Sequence, residues 1–303
     1  MSSNRVLSIQ SHVVHGYVGN KSATFPLQLL GFDVDTINSV HLSNHTGYQH
    51  VRGQRMNDAE LQDVFEGIVN NDLHKMYSHL LTGYIGTPEF LRKIVDVVKT
   101  LKKANPKLIF FCDPVMGDNG RFYVPESFVE IYRDEIMPFA DIVSPNQFEA
   151  ELLAGRTIAT EEDAWAVLDW FHSRGVKIAV ISSTTIGAPD NLLAFLSELP
   201  AGSSTPKRSS LMMPKIGNVN FTGTGDLFTA LFLGHTTSCA HASEALEKTV
   251  ASLQAVIRNT AARLPAKREP GVKVPFEDRE LRIVQSKKDI EEPKVTIGAT
   301  LHP

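Results

Sequence analysis

Asn220-Phe221-Thr222-Gly223-Thr224-Gly225-Asp226, running directly into Leu227-Phe228-Thr229-Ala230-Leu231-Phe232-Leu233, is the stretch around which the chain is organised. Two glycines flank a threonine, and a carboxylate heads an apolar run with helical character. Glycine allows a tight turn and a close approach of backbone to ligand. A helix starting here aims unpaired N–H groups and the positive end of its dipole into the turn, which suits a phosphate. Asp226 adds nothing to anion binding. It fits either a base that takes a proton from a nucleophile attacking phosphorus, or a plain helix N-cap. Short glycine motifs match often by chance, so the rest of the chain must decide.

The bulk composition narrows the field. The chain has 303 residues, 42% hydrophobic and 21% charged, with a net charge of -4, a normal globular mix. Its basic residues are dispersed, so neither nucleic acid nor an anionic membrane is expected as a partner. Cys112 and Cys239 offer no metal spacing and no disulfide framework, which suits reduced thiols in the cytoplasm. The N-terminus leads straight into a strand-like run rather than a signal peptide. No apolar stretch reaches the ~18 residues of a membrane span. A length divided by about 150 allows two domains, although α/β folds of this size are often single.

Working outward, Val6 to Ile9 reads as a buried strand. Gly16-Tyr17-Val18-Gly19-Asn20-Lys21-Ser22 opens a helix to about Leu30. It misses the P-loop spacing because Asn20, not glycine, precedes the lysine, so a turn packing the first helix on the sheet is expected. After a strand from Phe32 to Val40, the polar loop His41 to Tyr48 is a surface turn or a recognition loop. A helix from Asp58 to Val69 and a strand from Met76 to Leu81 follow. Thr87-Pro88 starts another helix, which stops before Pro106.

Leu108 to Cys112 is an apolar strand broken by Asp113-Pro114-Val115-Met116-Gly117-Asp118. These two acids could hold a hard cation such as Mg²⁺ through waters, or be ordinary turn acids. A helix is expected from Glu126 to Met137, then a strand Asp141 to Val143 ending at Ser144-Pro145-Asn146-Gln147-Phe148-Glu149. Thr160 heads a helix to Ser173, and a strand from Lys177 to Ile181 ends at Ser182-Ser183. Ser209 to Met213 reads as a strand, Ser243 to Thr260 as a helix, Pro265 to Pro275 as a loop and Leu281 to Val284 as an edge strand.

Alternating strands and helices from Val6 to Ile181 imply a doubly wound, mostly parallel α/β sheet with helices on both faces. Ligands of such sheets bind beyond the carboxyl ends of the strands. The polar clusters at Ser11, Tyr84, Asp113 to Asp118, Ser144 to Glu149 and Ser182-Ser183 all fall there. That favours an active site over independent turns. A nicotinamide fingerprint is strongly disfavoured, because the third glycine position after Gly223 is Phe228 and the motif lies far from the first strand.

At these residues a resemblance enters. Asn220 to Asp226 resembles the C-terminal signature of the ribokinase-like sugar and vitamin kinases. Ser8 to Val13, Asn44 to Tyr48, Leu81 to Tyr84, Asp113 to Asp118, Pro145 to Leu152 and Glu280 to Ser286 together resemble the pyridoxal kinases, in their eukaryotic form, across nearly the whole chain. The resemblance implies a single ribokinase-like domain over residues 1–303, a cytoplasmic homodimer, and ATP-dependent phosphorylation of the 5′-hydroxymethyl group of pyridoxal, pyridoxine and pyridoxamine. By the same carry-over, Ser11 meets the pyridine nitrogen, Thr46 and Tyr84 line the ring pocket and Val18 covers one face. Asp226 is then the base, and the N–H groups of Gly223 to Gly225 hold the transferring phosphoryl. Asp113, Asp118 and Glu149 organise Mg²⁺ with ATP, while Ser144 and Ser182 keep a monovalent cation, K⁺ or Na⁺. Asn146, Ser182, Ser183 and Thr224 contact ATP, with Ile216, Gly217 and Asn218 bordering the adenine. The nearest rival is a hydroxymethylpyrimidine kinase, and a rival of another class is a nucleotide-binding regulator without turnover.

Overall fold

The computed structural model describes residues 4–187, 189–216, 219–264 and 274–303. In chain order the elements are β1 (Arg5–Val13), α1 (Asn20–Leu29), β2 (Asp33–Leu42), β3 (Gly53–Arg55), α2 (Asp58–Asn70), β4 (His79–Thr82), α3 (Pro88–Ala104) and β5 (Ile109–Cys112). A small hairpin, β6 (Gly117–Asp118) and β7 (Arg121–Phe122), precedes α4 (Phe128–Glu130) and β8 (Ile142–Val143). Then come α5 (Gln147–Ala154), α6 (Glu161–Ser173), β9 (Ile178–Thr184), β10 (Asn191–Glu198), β11 (Lys207–Pro214), α7 (Thr224–Thr236), α8 (Ala242–Ala261), α9 (Lys287–Glu291) and β12 (Thr300–His302).

The main sheet runs β12-β11-β10-β9-β8-β5-β4-β1-β2-β3. From β9 to β2 every neighbouring pair is parallel; β10, β11 and β12 add antiparallel strands at one edge and β3 at the other. The parallel strands are apolar at consecutive positions because both faces are covered. Val6, Leu81, Phe111, Ile142 and Val180 pack under α1, α7 and α8. Their chain neighbours Leu7, Leu80, Phe110, Val143 and Ile181 pack on the opposite face with α2, α3, α5 and α6. Side chains that alternate across a strand therefore serve two cores.

Several boundaries follow from local chemistry. Asn57 and Glu60 form a reciprocal cap on α2, as Thr160 and Asp163 do on α6, and Thr87 caps α3 ahead of Pro88. The helix expected from Glu126 to Met137 begins as α4 but continues as a π-helical turn, Ile131–Ile136, and a 3₁₀ turn, Met137–Phe139. There Arg133 donates to the carbonyl oxygens of Leu152 and Leu153 at the end of α5. The edge strand expected at Leu281 to Val284 is absent. That segment is irregular, with Leu281 and Ile283 buried in the core as anchors, and the edge is supplied by β12. Strand β10 went unread because its stretch carries no period-2 alternation; Ala194 to Ser197 are buried on both faces. Gly217, Asn218 and most of the Pro265 to Pro275 loop lie outside the described residues.

Candidate active site

The glycine turn at the head of α7 lies over the carboxyl ends of the parallel strands, packed against the turn between β1 and α1. Gly223, not Asp226, is the N-cap of α7, with φ of 84°, a region open to glycine and costly for other residues. A Cβ at Gly223 would collide with the Tyr17 carbonyl oxygen and come within 3.4 Å of Val18. Ser22, on α1, donates to the Gly223 carbonyl at 3.3 Å. Gly225 differs: a Cβ there meets nothing within 4 Å. The first-turn N–H groups of α7 have no intrahelical acceptors, and Gly225 among them is exposed.

Asp226 occupies the third position of α7, partly buried. Burial raises its pKa to about 6, against a smaller lowering by the Gly19 backbone N–H. The simple cap reading is corrected by this placement, since capping oxygens belong at the residue that Gly223 fills. Gly19 is itself pressed on Ser11, where an added Cβ would overlap the Ser11 carbonyl and hydroxyl. Ser11 is buried near the end of β1, just after the register with β2 shifts between Gln10 and Ser11. Such a bulge re-aims the side chains that follow it. Ser11, Gly19 and Asp226 are thereby contiguous.

Beneath this turn sits a polar knot. Ser8 donates to Asn20 Oδ1 at 2.7 Å, and Asn20 Nδ2 donates to the Ile37 carbonyl at 3.0 Å and to Asn38 Oδ1 at 2.9 Å. Asn20 therefore ties α1 to β1 and β2, the packing role expected for that turn. Lys21 folds back on the Val14 carbonyl rather than toward the glycine turn.

Val18 and Tyr84 share a small apolar cluster with Val13, Val40 and Leu42. Tyr84 is half-buried and is fixed through its carbonyl by the Ser39 hydroxyl at 2.7 Å. Thr46 stands exposed on the loop after β2, between buried His45 and half-buried Tyr48.

Across the rim, Asp113 is buried directly after β5. Its pKa lies well above the usual range, first through burial and then through the charges of Glu149 and Asp226. Thr229 Oγ1 lies 3.1 Å from Asp113 Oδ2, 3.1 Å from the Ser144 hydroxyl and 3.0 Å from the Gly225 carbonyl. The Thr229 hydroxyl hydrogen is thus offered both the Asp113 carboxylate and the Gly225 carbonyl, and its oxygen is free to accept from Ser144. Thr229 was missed in the sequence; the signal is a lone hydroxyl in an apolar run, one turn after Gly225.

Asn146 and Glu149 form a capping box on α5. The Glu149 carboxylate accepts from the N–H groups of Met116 (2.9 Å), Gly117 (3.3 Å) and Asn146 (3.0 Å). Burial raises its pKa to about 7 against those bonds. Asn146 Nδ2 donates to the Gly117 carbonyl at 2.8 Å, so the α5 cap clasps the root of the β6–β7 hairpin. Asp118 is exposed on that hairpin and accepts from Asn119 Nδ2 at 2.8 Å. Ser182 and Ser183 lie inside β9, and the Ser182 amide donates to the Pro145 carbonyl at 3.0 Å. Strand β11 ends on the same rim, pairing Pro214 with Asn191, and Ile216 leaves from there. Thr224 donates weakly to the Phe221 carbonyl at 3.4 Å.

The fit to cations can be judged from these groups. No ion pair with Lys or Arg neutralises Asp113, Asp118, Glu149 or Asp226 among the described residues. Nor is there, among those residues, a group of three or more His, Cys, Asp or Glu side chains close enough to hold a metal alone. This donor set suits a hard cation that takes its remaining ligands from phosphate oxygens and water. No helix among the described residues is long and apolar enough to cross a membrane.

The comparisons with known proteins agree with this geometry. A family model described as phosphomethylpyrimidine kinase matches residues 29–270, a span that leaves out Ser11 and Val18. The chain is 48% identical to the pyridoxal kinase of Bos taurus over 98% of each chain, and 46% identical to that of Homo sapiens over 98% of each. It superposes on the pyridoxal kinase of Leishmania donovani, solved in complex with ADP and pyridoxine, with a TM-score of 0.90, 40% identity and 99% of both chains covered. Near-full-length identity of this order, with the glycine turn, its aspartate and the Ser11 to Val18 turn in one place, leaves one assignment: the chain belongs to the pyridoxal kinase family.

Proposed function

We propose that this protein transfers the γ-phosphoryl group of ATP to the 5′-hydroxymethyl group of pyridoxal, and also of pyridoxine and pyridoxamine, giving the 5′-phosphates. The observation that carries the reading is the pairing of a carboxyl raised to about 6 with an open helix N-terminus at Gly225. A base tuned near working pH takes a proton efficiently, and unpaired N–H groups aimed at the same space stabilise charge on a phosphoryl group. Phosphoryl transfer asks for little covalent help beyond such positioning.

In this reading Ser11 receives the ring nitrogen, Val18 and Tyr84 hold the ring, and Thr46 bonds a ring substituent. Asp226 accepts the proton of the attacking hydroxyl. The N–H groups from Gly223 to Gly225 hold the phosphoryl, with Thr224, Ser182, Ser183, Asn146, Ile216, Gly217 and Asn218 along the nucleotide. Mg²⁺ would be held on the Asp113, Asp118 and Glu149 side, where it neutralises phosphate charge. Three backbone N–H bonds already engage the Glu149 carboxylate, so Glu149 would support Mg²⁺ from beside the site rather than as a free acid. Ser144, Ser182 and Asp113 would keep a monovalent cation. Residues 1–303 act as a single kinase domain, which pairs as a homodimer; sedimentation of a clean monomer of 33.4 kDa at micromolar concentration would reject the pairing.

The test is a coupled assay of ATP consumption across pyridoxal, pyridoxine, pyridoxamine and hydroxymethylpyrimidine. Turnover is expected with the three vitamers and not with the pyrimidine. Preference for the pyrimidine would reverse the reading.

A further inference from the structure

Three donors converge on one carboxylate far along the chain. Glu280 Oε1 accepts from the Tyr48 hydroxyl at 3.0 Å and lies 3.4 Å from His45 Nε2, while Oε2 accepts from the Tyr17 amide at 3.1 Å. The Gly47 amide donates to His45 Nδ1 at 3.1 Å. The hydrogen of a neutral His45 ring therefore sits on Nε2, facing Glu280. The Glu280 side chain keeps only 10% of its surface exposed, and Gly16 is pressed on its carboxylate so closely that a Cβ would collide with it. Burial alone would raise its pKa, yet the His45, Tyr17 and Tyr48 contacts hold it below the usual carboxylate range.

The segment carrying Glu280 is a strap anchored at both ends. Leu281 and Ile283 are buried in the core under α1 and α8. Phe276 packs on the rings of His45 (5.1 Å) and Tyr48 (5.3 Å), and the Arg279 guanidinium lies 4.1 Å from the Phe276 ring centre. The two loops also meet directly, since the His15 amide donates to the Ser43 carbonyl at 2.9 Å and the His15 and Tyr48 rings lie 6.3 Å apart, but the Tyr17 amide is tied to His45 and Tyr48 through Glu280. One carries Tyr17 and Val18; the other carries His45, Thr46 and Tyr48.

We propose that Glu280 is a positioning residue for the vitamer: its carboxylate fixes the spacing of the two loops so that Val18 and Thr46 flank one ring. This rests on the reading of those loops as the vitamer pocket. A carboxylate suits the post because its contacts come from donors and it offers only acceptors. Glutamine keeps the size but turns an NH₂ group toward one of those donors.

Glu280→Gln in the full chain is expected to raise the pyridoxal KM at least fivefold, with kcat and the ATP KM within twofold of wild type. A general loosening of the fold would move both KM values together. A smaller rise for pyridoxal, or a parallel rise for ATP, overturns the inference. Should that variant fail to fold, Tyr48→Phe keeps the ring, 4.8 Å from His45, and removes only the hydroxyl. It is expected to raise the pyridoxal KM at least threefold with the ATP KM unchanged, and a smaller effect overturns the inference equally. A wild type that consumes no ATP with pyridoxal refutes the functional reading itself, a result distinct from both.

Discussion

Replacing Asp226 by Asn separates chemistry from packing, because the structure predicts opposite signs for the two. Asparagine preserves shape and leaves the Gly223 cap of α7 untouched. Moving a carboxyl from an ordinary 3.8 to about 6 penalises its ionised form by about 3 kcal/mol at neutral pH. The favourable interaction of an acid with the helix N-terminus returns about 0.3–1 kcal/mol. The variant should therefore be more stable than wild type by about 2 kcal/mol at pH 7–8, seen as a higher Tm. The sign follows from linkage: a carboxyl raised by folding carries no penalty below pH 4, and the penalty grows as pH rises to 6 and is complete above it. The stability gap should open over that window and close in acid. Activity should go the other way. Loss of a general base costs about 10²–10⁴ in rate, so kcat should collapse while ATP binding holds. In wild type kcat should fall as pH drops below about 6, and the variant should lose that limb. Thermal melts from pH 4 to 8 alongside steady-state kinetics read both. A variant that keeps more than about a tenth of wild-type kcat refutes the base assignment, and one that melts lower at pH 8 than wild type refutes the burial argument.

Other substitutions probe the neighbouring contacts. Gly225→Ala should fold at least as well as wild type, since alanine suits a helix better and its Cβ meets nothing within 4 Å, yet lose at least tenfold in kcat by filling the phosphoryl space. Full activity in that variant would remove Gly225 from the anion site. Gly223→Ala, by contrast, forces a collision with Tyr17 at φ of 84° and should yield little folded protein; a stable, active variant would contradict the packing described. Thr229→Val leaves Asp113 and Ser144 short of a buried partner, a loss of about 1–3 kcal/mol read as a lower Tm, and an unchanged Tm would refute the network.

The parts of the fold that the sequence exposed were those with local causes. Thr87-Pro88 and Thr160-Glu161-Glu162-Asp163 carry their cap chemistry within a few residues, and α3 and α6 begin where those signals stand. The buried strands showed as apolar runs because two cores take alternate residues. What stayed hidden depended on distant partners. Leu281 to Val284 has the composition of a strand, and only the depth at which Leu281 and Ile283 are buried makes it a strap. The polar cluster Ser144 to Glu149 was legible at a strand end, but not that Asn146 and Glu149 would cap α5 reciprocally or that the same carboxylate would clasp Met116 and Gly117.

The site itself divides along the same line. Gly223 to Asp226 is a contiguous motif, so its anion-binding character was readable; the tuning of Asp226 was not, because it comes from burial in the folded chain, opposed by the Gly19 N–H about two hundred positions away. Gly19, Gly83 and Gly223 stand at close approaches: to Ser11, to Gln10 and to the Tyr17 carbonyl respectively. These glycines act less as flexible joints than as clearances that let one backbone lie against another's functional group. Gly225 differs from these in being exposed with room to spare, as other surface glycines such as Gly67 are, and in the proposed reading that room takes the phosphoryl group. What sets Gly225 apart from an exposed glycine such as Gly67 is its place in the first turn of a helix beside a partly buried acid whose pKa is raised, and that combination is better explained by a ligand than by packing.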